Sequence, residues 1–463
     1  MLAFTGIAVA AMQTLTVPII ADLPELLHST PSNASWVVTV TLLSGTVAGP
    51  ILGRAGDLYG KRRVLLYALT LMILGSLLSG FTSDLAPMIA GRALQGLALG
   101  AIPLGIGIIW DQVPDEKRPM AIAFMSGSIG IGGALAIPVA AIIAENFDWH
   151  WIFFGTAFLG TLSIIFVFIL IPEGPRDTGR FDILGAFGLT LGLTTLLIAI
   201  SKGSEWGWGS IFTVLLLVFT AIIFTSWGLY ELRTSEPLLN LHTASIRPVL
   251  LTNLTAIAVG MAFFVVTLVL PQLLQLPTST GYGMGMSMTA AGFCGAVMGF
   301  AMMLVAPLAG RLTEKQGPKS TLVVGLILLT VTYLAGLSLL GEAWQVVLVA
   351  AFAGAGVGTA YAAMPELILS SVHPSETGAA NGLNQLMCSV GTSISSAVIS
   401  AVLAGTAHQS GSTTVPTLTG FKISFMIAAG VALLGLTIVL SLPKTRKTDK
   451  ESRSTFPSKH PVS

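Results

Sequence analysis

A dense run of glycines and charged residues at 53–63 is the first feature with evident chemistry. It reads Gly-Arg-Ala-Gly-Asp-Leu-Tyr-Gly-Lys-Arg-Arg and separates two apolar stretches. We expect its glycines to form a tight turn, because glycine accepts backbone angles that other residues avoid. Asp57 is placed to face the positive N-terminal end of the next helix and to pair with a basic residue such as Arg118. Such a pair would latch one conformation and release in another. The gating candidates in this run are Gly53, Arg54, Asp57, Gly60, Lys61 and Arg62.

A second, weaker copy of this run begins at Gly310 and ends at Lys319. The two copies share Gly-Arg, then an acid, then Gly, then a basic residue. Internal symmetry of this kind is typical of transporters built from two related helix bundles. We therefore add Gly310 and Arg311 to the gating candidates. The alternative for both runs is a solvated charged turn.

Arg92 is the only basic residue deep inside an apolar stretch. A charge at such depth is unfavourable, so it should face a cavity or a partner. Gln95 lies on the same helix face, and the alternative for Arg92 is a structural hydrogen-bond hub to the first span. Proton coupling requires a group whose pKa differs between conformations. Apart from Arg92, the candidates are Glu366, which could equally reach the lipid headgroups, and Asp22 at the outer mouth.

Amide side chains inside apolar stretches indicate a polar surface within the membrane, since unpartnered amides are unfavourable in lipid. Binding cavities combine apolar walls with a few convergent polar groups. Gln13 is also placed to hydrogen-bond to Arg92. For the aromatic candidate, Phe263, the alternative is packing against lipid or another helix. The candidates for a substrate path are Gln13, Gln95, Asn253, Phe263, Asn381, Asn384 and Gln385.

The composition fixes the environment of the elements that carry these residues. Of the 463 residues, 53% are hydrophobic and only 9% are charged, against roughly 25% charged in ordinary soluble domains. This excludes a soluble or a disordered chain. Two cysteines exclude a disulfide framework or a cysteine-based metal site, and a net charge of +1 gives no attraction for nucleic acid. We expect no catalytic cluster, metal or cofactor.

Continuous apolar runs predict an all-α polytopic membrane protein, since a helix needs about 20 mostly apolar residues to cross the bilayer. Fourteen spans are predicted. They cover 2–21, 34–53, 64–82, 86–110, 119–144, 151–171, 183–201, 211–230, 248–271, 286–308, 320–341, 344–371, 377–405 and 420–442.

The distribution of basic residues tests this count. With both termini in the cytoplasm, 13 Lys and Arg residues in loops and six in the tail fall on the cytoplasmic side, or 19 of 22. Such a bias is the positive-inside pattern of membrane proteins. An error of one span would destroy the asymmetry after the error. We therefore predict fourteen spans in the plasma membrane, with both termini cytoplasmic.

The run at 53–63 resembles the signature loop of the major facilitator superfamily, which joins the second and third helices, as here. Fourteen spans, and the segment Gly-Arg-Phe-Asp-Ile-Leu-Gly at 179–185, resemble the fourteen-helix drug–proton antiporter branch. Because the second copy follows span 10, spans 7 and 8 form an insertion between two halves. The predicted division is a six-helix bundle at 1–172, a two-helix insertion with linkers at 173–247, a six-helix bundle at 248–442 and a disordered cytoplasmic tail at 443–463.

The resemblance implies export by alternating access and proton antiport, with hydrophobic or amphipathic compounds such as drugs and antibiotics as substrates. The partners would be the substrate, protons and the bilayer, and the protein would act as a monomer rather than as an enzyme. Residues 91–96 are similar to the family's span-4 motif, whose arginine, here Arg92, is implicated in proton transfer. In span 5, Gly133 and Pro138 retain the expected bend, but the strict antiporter motif is altered. The acid expected in span 1 is replaced by Gln13.

These two departures keep alternatives open. One is a uniporter or symporter of another small solute. The other is a polytopic membrane enzyme acting on lipid-linked substrates. The enzyme would need a cluster of acids or histidines on a sizeable loop at the membrane face, and no such cluster is present.

Overall fold

The computed structural model describes residues 1–20, 22–410 and 413–442. The segment 443–463, predicted as a disordered cytoplasmic tail, lies outside these residues. Within them, fourteen helices are long and apolar enough to span a membrane, which confirms the predicted number. Apolar sequence explains these helices, because only internally hydrogen-bonded backbone is stable in lipid.

The fourteen helices are numbered in chain order. They are α1 (Leu2–Thr14, followed by a 3₁₀ turn at Val17–Ile19), α2 (Trp36–Tyr59), α3 (Lys61–Gly80), α4 (Leu85–Gln112, with a 3₁₀ turn at Ala98–Gly100), α5 (Arg118–Asn146), α6 (Trp151–Leu170), α7 (Ile183–Trp206), α8 (Ile211–Glu231), α9 (Arg247–Gln275), α10 (Met288–Gln316), α11 (Pro318–Gly336), α12 (Ala343–Leu369), α13 (Thr377–Gly405) and α14 (Leu418–Leu440).

Short elements connect these helices, among them 3₁₀ turns at Thr278–Thr280 and Pro374–Glu376. One-turn helices lie at Leu23–Leu26, Pro31–Ala34 and Leu241–Ala244, and a small antiparallel hairpin pairs β1 (His408–Ser410) with β2 (Thr413–Val415). The hairpin joins α13 to α14 and was not predicted. The all-helical membrane architecture is otherwise as the sequence predicts.

Helix ends are fixed by side-chain caps that satisfy exposed backbone N–H groups. Asp182 accepts a hydrogen bond from the backbone N–H of Gly185 at the start of α7, and Ser210 and Ser287 do the same for α8 and α10. Glu342 and Gln345 form a reciprocal capping box at the start of α12. These caps place the helix starts where the sequence predicts them, within a few residues.

Two sets of helices have their own apolar cores. The largest cluster of buried residues draws only on α9 to α14 and adjoining loops, with the Phe425 ring packed beside Tyr333 and the Phe421 ring beside Tyr282. A second cluster, around Met12, Leu69 and Ile102, lies almost entirely within α1 to α6. Helix α7 packs on α2 and α13, whereas α8 packs mainly on α7 and leaves its outer face exposed.

The two sets meet mainly along two crossings, α2 with α13 and α5 with α10, and also where α5 packs on α12 and α4 on α13. Small residues allow the backbones to approach closely, as is typical of membrane helices. In the first crossing, a Cβ on Gly382 would lie 2.3 Å from the carbonyl oxygen of Gly49. In the second, a Cβ on Gly299 would lie 2.0 Å from the carbonyl oxygen of Gly130. No larger residue fits at these points without a helix shift.

Candidate transport and gating site

The run at 53–63 is helical except at one residue. Helix α2 continues to Tyr59, the φ of Gly60 is +99°, and α3 begins at Lys61. The predicted glycine-rich turn is therefore wrong for Gly53, which lies inside α2 and allows close packing against α13. A Cβ on Gly53 would lie 2.2 Å from the carbonyl oxygen of Gly378 in α13. We call the end of the bundle that carries Gly60 the basic end.

Asp57 lies at the basic end and is only 4% exposed. Its carboxylate accepts hydrogen bonds from the backbone N–H groups of Gly378 and Ala379, both at 2.9 Å. These are free N–H groups of the first turn of α13, where the helix dipole favours a negative charge. The sequence predicted the same kind of interaction but with the wrong helix, α3.

Lys61 completes the junction. Its Nζ lies 2.6 Å from Oδ2 of Asp111 at the end of α4, donates to Oγ1 of Thr377 at 2.7 Å, and lies 3.6 Å from Oδ1 of Asp57. The side chain is 5% exposed. Buried charges of this kind are stable only when paired and hydrogen-bonded. We call Asp57, Lys61, Asp111 and the start of α13 the latch.

Arg118 is not part of the latch, and the predicted pairing with Asp57 is wrong. Its guanidinium lies 2.7 Å from Oδ1 of Asp115 and stacks 4.3 Å from the ring centroid of Trp110. Both partners are near in sequence, and they hold Arg118 against the start of its own helix, α5. The carboxylate of Asp57 is instead occupied by backbone donors and Lys61.

The other basic residues of the first run fasten the segment between α6 and α7. Arg62 donates to the carbonyl of Phe168 at 2.8 Å and pairs with Glu173 at 3.3 Å. Arg54 lies 3.9 Å from Asp177, whose backbone N–H donates to the carbonyl of Asp57 at 2.8 Å. The linker before α7 is thus tied to the latch.

The second copy, at 310–319, has the same backbone but a different environment. The φ of Gly317 is +86°, matching Gly60, and a Cβ on Gly310 would lie 2.9 Å from the Cα of Met120 in α5. Arg311 and Glu314 are exposed. The second copy therefore provides close packing without a buried ion pair.

Arg92 is 1% exposed and forms a hub among helices α1, α2 and α4. Its nitrogens lie 2.6 Å from Oε1 of Gln95 and 3.3 Å from the carbonyls of Met12 and Val37 and from Oγ1 of Thr16. Among the described residues, no carboxylate pairs with it. This geometry matches the structural alternative given for Arg92.

Gln13 and Gln95 lie in different environments. Arg92 donates to the backbone carbonyl of Met12, the residue before Gln13 in α1, and not to the Gln13 side chain. Gln95 is fully buried and donates to Oγ of Ser76 at 2.7 Å. It lies within the packing of α1 to α6, and its assignment to the substrate path stays a prediction.

The predicted amide face of α13 is divided among three environments. Asn381 donates across the junction to the carbonyl of Pro103 in α4 at 3.1 Å, whereas Asn384 donates to Oδ1 of Asn253 in α9 at 3.2 Å. Gln385 is half-buried, and its Cβ lies 3.8 Å from where a Cβ on Gly49 would be. The face thus joins α13 to both sets of helices.

The remaining candidates occupy separate places. Phe263 is half-buried beside Tyr361, with ring centroids 6.3 Å apart. Asp22 is exposed at the opposite end of the bundle. Glu366 is half-buried in α12, with Oε2 out of contact with solvent.

Helix α5 continues through the predicted bend residues Gly133 and Pro138. A Cβ on Gly133 would lie 3.6 Å from Thr14 in α1, an ordinary contact. Closer packing of α5 on α10 occurs at Gly130. The helix thus packs between α1 and α10 along the length that contains these residues.

A cavity of about 120 Å³ separates α2 and α13 toward the end opposite the latch. Its lining residues were not predicted, although hydroxyl residues at helical spacing along α13 were a usable signal. Helix α7 of the predicted insertion forms one side of it. Its lining comprises Thr39, Leu42, Leu43, Leu197, Ile200, Ser201, Phe264, Thr392, Ser393, Ser396, Ala397 and Ser400.

A second cavity, of about 180 Å³, lies at the basic end beside Arg54, Glu236 and Glu376. Glu376 accepts hydrogen bonds from Asn240 and Thr243 at 2.8 Å, which fastens the linker before α9 to the start of α13. The two linkers that flank the α7–α8 pair therefore both end at the latch.

A bundle of fourteen membrane-length helices, with two repeated junctions and charges gathered at one end, defines a polytopic transporter. The family model of the Major Facilitator Superfamily matches residues 2–274 and 252–463. The chain belongs to this superfamily. It is a multi-pass plasma-membrane protein that transports small molecules and is not an enzyme.

Comparisons with individual proteins agree with the family. The chain is 25% identical over 404 residues to multidrug resistance protein 3 of Bacillus subtilis, covering 84% of this chain and 76% of the relative. It is 28% identical over 418 residues to the tetracenomycin C resistance and export protein of Streptomyces glaucescens, covering 86% and 74%. Among solved structures, the proton:xylose symporter XylE superposes with a TM-score of 0.66 at 15% identity, covering 96% and 95%.

Proposed function

We propose that this protein exports hydrophobic or amphipathic small molecules, including drugs and antibiotics, by proton antiport with alternating access. The observation that carries the proposal is the latch, which joins α2, α3 and α4 to α13 through buried charges. The hydroxyl-lined cavity lies toward the end opposite the latch, which supports a state that is closed at the basic end. The names of the two relatives support export and the substrate class.

In this proposal the basic end faces the cytoplasm, with both termini on that side. The bundles at 1–172 and 248–442 move against each other about the α2–α13 and α5–α10 crossings, with 173–247 as an insertion and the protein acting as a monomer. Closure of the latch corresponds to an outward-facing state. The hydrogen bonds of Asp57 to backbone groups support a reversible junction, because N–H groups of a first helical turn can donate to water when the junction opens.

Arg92, Glu366 and Asp22 remain the candidates for proton coupling. Arg92 is buried at the contact of α1, α2 and α4, so a change in its protonation or hydration would alter the packing of three helices. Glu366 is the acid best placed by depth in α12. Asp22 is accessible from the opposite end. Arg92→Ala should therefore uncouple export from the proton gradient more strongly than Asp22→Asn.

The test uses purified protein in proteoliposomes with an imposed pH gradient and a fluorescent lipophilic cation as substrate. Antiport predicts that substrate moves against the direction of proton flow, and that a protonophore abolishes the movement. Transport that is indifferent to the protonophore would rule out antiport and favour a uniporter. Movement of substrate in the same direction as protons would establish a symporter instead. Transport by Asp57→Asn, reconstituted to the same level as the wild type, shows the effect of an impaired latch.

A further inference from the structure

Two buried carboxylates face each other where α7 and α8 meet at the basic end. Asp182 precedes α7, and Glu231, which is 2% exposed, is the last residue of α8. A Cβ on Gly185 would lie 2.2 Å from Oδ2 of Asp182 and 2.5 Å from Oε1 of Glu231. The two oxygens are therefore no farther apart than these two distances together. Only glycine at 185 leaves room for both.

Three of the four carboxylate oxygens make no hydrogen bond of good geometry. Oδ1 of Asp182 accepts from the backbone N–H of Gly185 at 2.8 Å and from the hydroxyl of Tyr230 at 3.0 Å. Oδ2 of Asp182 and both oxygens of Glu231 are buried, and none has a partner with hydrogen-bond geometry among the described residues. Buried unsatisfied acceptors are unfavourable, and those of charged groups most of all.

Within the described part of the chain, neither carboxylate forms an ion pair with a cation. Asp182 is the charged group that acts on Glu231, and Tyr230 interacts with both carboxylates. The indole of Trp227 donates to the carbonyl of Gly185 at 2.8 Å. The backbone N–H groups of Leu238 and Leu239, in the linker after α8, and the Trp227 indole approach Glu231 without reaching good hydrogen-bond geometry. Two like charges buried this close together do not both ionise.

We propose that Asp182 and Glu231 form a proton-binding site in which the pair holds one proton. In this site the Glu231 carboxyl is protonated, and its O–H donates to Oδ2 of Asp182. One proton thus removes one negative charge and supplies the missing donor. No other ligand is required. This inference does not depend on proton antiport, because it concerns occupancy of the site at rest.

The site is connected to the latch through a short segment. Asp182 ends the linker whose Asp177 binds the backbone of Asp57 and the side chain of Arg54. Loss of the shared proton would place two negative charges at the junction of α7 and α8 and push the two helix ends apart. The linker would then transmit the displacement to the latch.

The experiment is infrared difference spectroscopy of the full-length protein in lipid, recorded between neutral and alkaline pH. We expect a C=O stretching band of one protonated carboxyl that shifts in D₂O and disappears on alkalinisation. Glu231→Gln should remove this band and Asp182→Asn should shift or remove it. Glu25→Gln, at an exposed acid of the opposite end, should leave it unchanged.

Two results would overturn the proposal. One is a wild-type spectrum whose protonated-carboxyl bands are the same as those of Glu231→Gln. The other is an alkaline transition whose midpoint moves with sodium concentration in the wild type but not in Glu231→Gln, which would assign the site to a metal cation. The wild-type titration and its D₂O shift need no variant, so a poorly folded substitution does not prevent the test.

Discussion

The two copies of the glycine-rich run share a backbone and differ in their electrostatics. Gly60 and Gly317 both have positive φ between consecutive helices. Gly53 and Gly310 both bring their helices against the start of a helix in the other set, α13 and α5 respectively. Position by position, the local geometry is that of an internal repeat.

The acidic side chain is buried in the first copy and exposed in the second. Asp57 is enclosed by the first turn of α13, whereas its counterpart Glu314 is exposed. The residue after the glycine is Lys61 in the first copy and Pro318 in the second, where proline starts α11. Lys319 instead donates to the carbonyls of Leu440 and Leu442 at the end of α14. Among the described residues, the first junction therefore contains a buried ion pair, whereas the second copy packs closely against α5 without one.

The largest expected effect comes from Lys61→Met. It leaves Asp57 and Asp111 buried without their cation, and breaking a buried ion pair costs about 3–5 kcal/mol. We expect export to be lost while the protein still inserts. Alkylation of Leu383→Cys, at the edge of the basic-end cavity, should become faster in a background where Cys294 and Cys388 are replaced by alanine.

Lys319→Met is the matched control for this prediction. Its Nζ donates to backbone carbonyls of Leu440 and Leu442 at the end of α14, outside the latch, so we expect nearly normal export. Equal damage by both substitutions would contradict the distinction between a charge-locked and a packed junction.

Asp57→Asn should have the next largest effect. The amide keeps one acceptor for the backbone of α13 but loses the charge that both N–H groups and Lys61 stabilise. Hydrogen bonds to charged groups contribute about 1.5–3 kcal/mol, so the export rate should fall at least tenfold. Glu314→Gln, measured in the same vesicle assay, should change it less than twofold. A normal rate for Asp57→Asn would remove the latch from the mechanism.

The sequence predicted the helices well because their signals are local. Apolar length and the bias of basic residues fixed fourteen spans, and Gly60 was recognisable as a turn. The ends of α2 and α10 were misplaced, since charged residues such as Arg54 and Arg311 read as loop although they continue a helix beyond the apolar core. Charge alone does not end a helix.

The partners of the site residues could not be predicted. Asp57 binds backbone N–H groups more than 300 residues away, and Gly378 and Ala379 carry no side-chain signal for it. Arg92 was recognised as buried, but which face of α4 points into the helix packing depends on tertiary contacts. Asp182 and Glu231 lie 49 positions apart, and only the fold brings them together.

Gly53→Ala tests the packing component that both copies share. The added methyl would meet the backbone oxygen of Gly378 at 2.2 Å, which can be relieved only by moving α2 or α13. We expect export to fall severalfold and alkylation of Leu383→Cys to increase. Gly310→Ala meets the Cα of Met120 at 2.9 Å and should have a smaller effect. The reverse order would indicate that the α5–α10 crossing controls the gate.

The smallest expected effect comes from Arg118→Gln, which separates the latch found here from the one that the sequence predicted. Arg118 pairs with Asp115, whose side chain is about half exposed, and exposed pairs contribute about 0–1 kcal/mol. Export should stay within twofold of the wild type, and the reactivity of Leu383→Cys should not change. A loss of export as large as that of Asp57→Asn would mean that Arg118 reaches Asp57 in another conformation. In that case the first copy would have two alternative cations, Lys61 in the closed junction and Arg118 in the open one.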